Sequence, residues 1–357
     1  MAYTTIDDPS AYFQITLWTG NASARSITFD GNSDMQPDWV WIKNRASTQN
    51  HRLFDSVRGA GKNIKSNDNQ AQIDAGTGTD GQLRSFASDG FTLGTDGSVN
   101  NNNEGHVAWS WKAGTSFSND ASSTSVGTID SVGSFNNDAG FSIVTYSGTG
   151  SNGTIKHGLN AKPKIILWKR TDNNAGAVNW IVQSTLFGNQ TKLVLNTTEA
   201  FSTGSAFSQT DNWTSSLIDL KNYEGQNASN GTYVALCFAE KQGFSKFGTY
   251  AGNGNANGPF VYTGFSPAWV MIKKTDDTHD WHIFDNKRDT FNERDSWLEA
   301  NTTNVEATSN NYVVDFLSNG FKTGSASGLN GSGESFIFMA FAENPLVTST
   351  GIPGLAR

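Results

Sequence analysis

The chain of 357 residues has one cysteine, Cys237, so no intrachain disulfide can staple it and its stability must come from buried surface. It has few charges, 16% against about 25% in ordinary domains. Its net charge is −8, which excludes the basic face that nucleic-acid backbones require and suits anionic membrane surfaces equally badly. No apolar run approaches the ~20 residues needed to cross a bilayer as a helix. The opening MAYTTIDDPSAYF has neither a basic nor an apolar region of a secretory leader, so none is expected. The sequons at Asn196, Asn227 and Asn301 are then read as chance in an Asn/Thr-rich chain rather than as glycan acceptors.

What is present is glycine, 37 residues, and aromatics at 12%, arranged as short apolar runs between Gly/Asn/Asp clusters. That is the pattern of a β-rich protein with many tight turns. Residues 260–288 hold two such runs, Trp269–Ile272 and Trp281–Phe284, around a polar loop, and weaker copies of this stretch lie at 35–58 and 160–182. Three prolines, Pro37, Pro163 and Pro267, precede Asn67, Asn196 and Asn301 by 30, 33 and 34 residues. Those asparagines precede His106, Tyr233 and Phe336, where the closing strands begin, by 39, 37 and 35. Matched spacing with matched residue types points to one unit used three times.

In the closing strands Val107, Trp109 and Trp111 share one face, as do Val234, Leu236 and Phe238, and Ile337, Met339 and Phe341. The opposite faces carry small residues. A period of two with both faces apolar indicates strands packed on both sides. The expected fold is all-β: three tandem antiparallel β-sandwich units, jelly-roll or lectin-like, lying end to end. The boundaries read as an N-terminal arm at 1–11, units at 12–113, 140–243 and 244–345, a linker at 114–139 and a tail at 346–357. Little helix is expected, at most near Asp295–Ala300 and Thr197–Ala200.

No cluster of residues in the sequence announces a reaction. Two G-x-G-x-x-G matches, at Gly148–Gly153 and Gly76–Gly81, lack the following helix and acidic residue of a dinucleotide site and read as turns. His279 and His282 would face opposite sides of a strand, and they read as hydrated loop histidines rather than metal ligands. Cys237 reads as core. Asp55 and Arg58 recur as Asp285 and Arg288, which fits either an internal ion pair or a shared ligand site; the second unit has neither. No catalytic residue, cofactor or metal is expected. Tryptophans remain. Trp18, Trp41, Trp180, Trp213, Trp281 and Trp297 either pack the core and the joins between units or stack on sugar rings. Trp18, Trp213, Trp281 and Trp297 are the candidates for ligand contact.

Several segments, among them Phe260–Val270, Leu317–Lys322, Met339–Glu343, Asp38–Arg45 and Ser88–Gly94, resemble a β-rich domain family of unknown function. That family occurs in virion proteins of marine tailed phages, including cyanophages, and the resemblance covers nearly the whole chain. It implies a non-enzymatic structural protein, made in the bacterial cytoplasm and placed on the virion exterior as a tail fibre, appendage or capsid decoration. It implies partners among other virion proteins, a homo-oligomer with a trimer favoured, and contact with host surface glycans. A carbohydrate-binding or depolymerase component of a phage spike is the alternative.

Overall fold

A computed structural model describes residues 2–354. The protein is nearly all β, and its sheets fall into three large and three small ones. In the first third the large sheet runs Phe13–Thr19, Gly105–Trp111, Trp39–Asn44, Arg52–Asp55, Lys62–Ile64 and Ile73–Asp74 in spatial order, with every pair antiparallel. The last third repeats that order with Ser245–Ala251, Ser335–Pro345, Phe265–Lys274, Trp281–Asp285, Ser296–Glu299 and Ala307–Thr308. The middle third repeats it with Phe141–Ser147, Thr232–Phe238, Ile165–Arg170, Ile181–Ser184, Thr191–Val194 and Ser202–Thr203. Its sheet is extended at one edge by Thr115–Asn119 and Ser131–Asn136. Residues 114–139 are therefore not a linker. Their apolar residues are sparse because the outer strand of this edge is largely exposed, with Phe117 and Phe135 half-buried and packed together.

The expected helices are absent as well. Ser296–Glu299 is a strand, and no helix covers Thr197–Ala200. The short helices lie instead at Gly97–Asn100 and Ala121–Thr124, where Asp96 and Asp120 cap the first backbone N–H groups. The N-terminal arm is docked, with the Tyr3 hydroxyl donating to Gly264 O and Thr4 Oγ1 to Gln242 O.

The faces of the closing strands explain how the sheets pack. The small face looks outward onto a small sheet. Ala108 packs with Val40, Ile42 and Phe91 under the sheet formed by Arg25–Ile27, Gly90–Leu93 and Leu83–Ala87. Ala235 and Cys237 pack with Ile155 and Ile218 under Gly153–Lys156 and Leu217–Leu220. Gly90 makes the first small sheet possible. It sits at φ +106°, and a Cβ there would lie 2.0 Å from Ile27 O.

The bulky face looks inward, and here the three thirds meet. Trp111, Phe238 and Phe341 belong to one continuous core. Trp39 stacks on Trp111 at 4.3 Å between ring centroids and lies 6.0 Å from Phe238 of the second unit. Phe341 of the third unit is 5.5 Å from Trp111 and 6.0 Å from Phe238. Burying one such ring is worth about 1.5–3 kcal/mol, and this cluster is completed only when all three units are present. The units are thus gathered around a shared core, not strung end to end.

Candidate functional site

The polar groups repeated in all three units lie where one unit meets the next. Strand register aligns His51, Trp180 and Trp281 at the start of the second hairpin strand, the first two just before it and Trp281 as its first residue. Their backbone N–H groups donate to Asn67, Asn196 and Asn301 Oδ1 at 2.9, 2.8 and 2.8 Å. The amides of those asparagines donate in turn to Asn50, Asn179 and Asp280. The ring at this position then reaches the neighbouring unit. His51 Nε2 contacts Glu299 O at 3.0 Å, Trp180 Nε1 donates to Lys65 O at 2.7 Å, and Trp281 Nε1 donates to Val194 O at 3.0 Å. Lys65, Val194 and Glu299 each stand two residues before their unit's clamp asparagine, so the same join is made three times in a cycle. Trp41 Nε1 donates to His51 Nδ1 at 2.8 Å, which leaves the proton on Nε2. Burial pushes the His51 pKa well down, so the ring is neutral.

Three buried lysines stand six residues after each proline, Lys43, Lys169 and Lys273, and the first two reach a neighbouring unit. Each ammonium is met by backbone carbonyls. Lys43 donates to Asn44 O at 2.7 Å and reaches Thr303 O of unit 3 at 3.3 Å. Lys169 donates to Arg170 O and Val178 O and reaches Asn69 O of unit 1 at 3.2 Å. Lys273 donates to Lys274 O at 2.5 Å and lies 3.5 Å from Asp277 O. Burial pushes all three pKa values down to about 8.

The recurring Asp–Arg pairs are internal ion pairs. Arg58 Nε donates to Asp55 and Arg288 Nε to Asp285, each at 2.5 Å. Asp285 also accepts from Trp109 Nε1 of unit 1 at 3.0 Å, and Arg288 joins Glu306, which in turn holds Arg45 of unit 1. Burial opposes the Arg288 charge, but Asp285 and Glu306 outweigh it and hold its pKa above the usual value. In unit 2 the register places Ser184 and Phe187 at these positions. Ser184 Oγ still accepts from Leu186 N, as Asp285 Oδ1 accepts from Lys287 N, so the turn survives without the charges.

The candidate ligand-contact tryptophans are not surface platforms. All 11 tryptophans of the chain are buried. Trp18 stacks on His106 and donates to Val99 O. Trp213 packs on Trp168 and donates to Ser208 Oγ. Trp281 makes the join to Val194, and Trp297 packs on Tyr312 with its Nε1 on Glu299. They read as platforms because tryptophan in a strand looks the same from sequence whether its face meets solvent or another unit. The histidines differ from expectation too. His282 is buried, stacks on Tyr312 at 4.5 Å and lies 5.0 Å from His279, which is half-buried. Burial drives the His282 pKa down to about 3. Among the described residues no group of three His, Cys, Asp or Glu side chains is placed to hold a metal ion. The Cys237 thiol is pushed up to about 12 by burial, which removes the thiolate a nucleophile needs. No helix among the described residues is long and apolar enough to cross a membrane.

A family model matches residues 8–345. The chain belongs to the family described as domain of unknown function DUF7483. No curated protein matches it. The DUF7483 match runs unbroken through all three units, in keeping with a core that no single unit completes. The lysines were legible in principle, since Ile or Trp followed by Lys recurs at one fixed distance from each proline. Only the neighbouring carbonyls show why a charge is accepted there.

Three concavities stand out among the described residues. One of about 220 Å³ lies between units 1 and 3 at Gln14, Asp30 and Lys287. A second of about 710 Å³ opens between units 1 and 2 beside Arg58, Tyr146 and Tyr233. The third, about 420 Å³, is built by unit 3 alone, around Phe291, Arg294 and Phe316.

Proposed function

We propose that this DUF7483 protein is a non-enzymatic structural component of the exterior of a tailed-phage particle, a tail fibre, appendage or capsid decoration, that contributes to attachment to the host surface. One observation carries the reading. The polar side chains found in all three units serve the frame: the clamp asparagines fix the turn that holds each ring, the rings of His51, Trp180 and Trp281 bond across to the next unit, and the buried lysines are met by backbone carbonyls. What the repeat preserves is architecture, as expected of a scaffold. The segments shared with marine-phage virion proteins point the same way. A homo-oligomer, with a trimer favoured, and neighbouring virion proteins are the partners proposed.

The test is localisation on particles. Antibody to this protein should label intact virions in negative-stain images, and the chain should co-purify with particles through a density gradient at fixed stoichiometry. Absence from gradient-purified particles, with the protein found only in the lysate, would overturn the proposal. Sedimentation equilibrium of the purified chain reads the oligomer, and a clean monomer would remove the trimer.

A further inference from the structure

From Asp55 to Asn67 and from Ser184 to Asn196 there are 12 residues, but from Asp285 to Asn301 there are 16. The four extra residues of unit 3 lie in a stretch that walls the cavity of about 420 Å³, so this concavity is an addition to the shared frame. Its volume falls within the roughly 300–1,000 Å³ of small-molecule pockets.

The lining has two kinds of surface. Phe291 stands at the wall with 79% of its surface exposed, among the few large apolar side chains the protein leaves in water. Phe316 is buried, and the Arg294 guanidinium lies over its ring at 4.5 Å. Arg294 is 7% exposed. It donates to Asn292 Oδ1 and to Thr290 O, but its buried Nε has no partner in the protein. Leaving a buried charged donor unpaired costs more than an ordinary hydrogen bond returns, so an acceptor is wanted there. Asn292 is fixed for its part, donating to Phe316 O at 2.8 Å and accepting from Phe316 N at 3.0 Å.

The acceptor is not an anion. Burial pushes the Arg294 pKa down, while Asp289, Glu343, Asp285 and Asp315 act on the guanidinium in the opposite sense. Together these four carboxylates make the field at the cavity negative, so a further carboxylate would meet repulsion. A hydroxyl group fits, because it can accept from Arg294 and donate a hydrogen bond as well. A ring with hydroxyls on its edge and C–H groups on its face would set that face on Phe291.

We infer that the Phe291–Arg294–Phe316 cavity of unit 3 is a binding site for one neutral pyranose unit of a surface polysaccharide. The inference rests on the attachment half of the function proposed above, and it places attachment on one unit of three. Particle labelling tests location and does not involve this cavity, so either proposal can fail alone.

The experiment is a glycan array probed with the full-length protein, followed by calorimetric titration with the best neutral oligosaccharide. Polygalacturonate and heparin form the acidic arm. Binding of neutral glycans is expected, with Phe291→Ala weakening it at least about tenfold through loss of ring stacking. Because Phe291 is exposed, that variant should keep its thermal midpoint. Arg294→Met should abolish binding, and its midpoint, measured alongside, shows whether the fold survives. No binding on either arm would overturn the proposal. So would a preference for the acidic arm, or neutral binding unchanged by Phe291→Ala.

Discussion

Units 1 and 3 bury an ion pair at the turn after the second hairpin strand, and unit 2 makes the same turn with Ser184 and Phe187. The difference separates what the fold needs from what a given join needs. The turn itself requires only an oxygen that accepts a backbone N–H. In unit 3 the charges reach further, since Asp285 accepts from Trp109 of unit 1 and Arg288 leads through Glu306 to Arg45, whereas Arg58 of unit 1 bonds Asp55, Gln72 and Leu53 O within its own unit. Among the described residues the equivalent position in unit 2 makes no such bridge, and Ser184 Oγ donates to Lys164 O of its own unit.

That contrast can be broken directly. The largest effect is expected from Arg288→Ala, which leaves Asp285 buried and uncompensated and should cost about 3–5 kcal/mol in urea unfolding. Ser184→Ala in unit 2 loses only the contacts of a neutral hydroxyl and should cost about 1 kcal/mol. Equal losses would refute the distinction between joins and turns.

The caged lysines sharpen it by pH. Their folded pKa is near 8 and their unfolded value about 10.4, so between these the unfolded chain holds more protons. Stability should therefore rise from pH 8 to 9.5, by up to about 2 kcal/mol per lysine. Above about pH 10 the buried Tyr146 and Tyr250, whose pKa values burial raises, pull the other way. Urea midpoints at pH 7.5, 8.5 and 9.5 measure the rise, and Lys169→Met should reduce its height by about a third, one lysine of three. A flat profile would show that the carbonyl cages fully replace hydration.

Smaller still, Trp281→Phe removes one inter-unit hydrogen bond while keeping most of the ring, and should cost about 1 kcal/mol. Trp180→Phe should cost the same, since both make the same join. A marked difference between the two would mean that the cycle is not equivalent at its three steps.

The strands were legible because period-two alternation and turn residues are local signals. Trp39–Asn44, Ile165–Arg170 and Phe265–Lys274 fall where the repeats of Trp-Val-Trp-Ile type predict them. The direction of the bulky faces was not legible. Trp109 and Leu236 look alike in sequence whether they meet a second sheet of their own unit or the sheets of two others. The strand at Ser296–Glu299 was hidden by its good helix formers, and sheet pairing with Trp281–Asp285 overrode them. The cavity of unit 3 left a trace, the longer interval between Asp285 and Asn301, but the unpartnered Nε of Arg294 belongs to the folded state alone.

One contact near the chain ends has a topological consequence. Asp7 Oδ1 accepts from Ser349 N at 2.6 Å, so the arm and the tail meet on the surface of a ring that already closes through its core. Start and finish are therefore almost interchangeable with any other exposed turn. A circular permutant, joined across that contact and opened at the exposed stretch 122–125, should fold to the same structure.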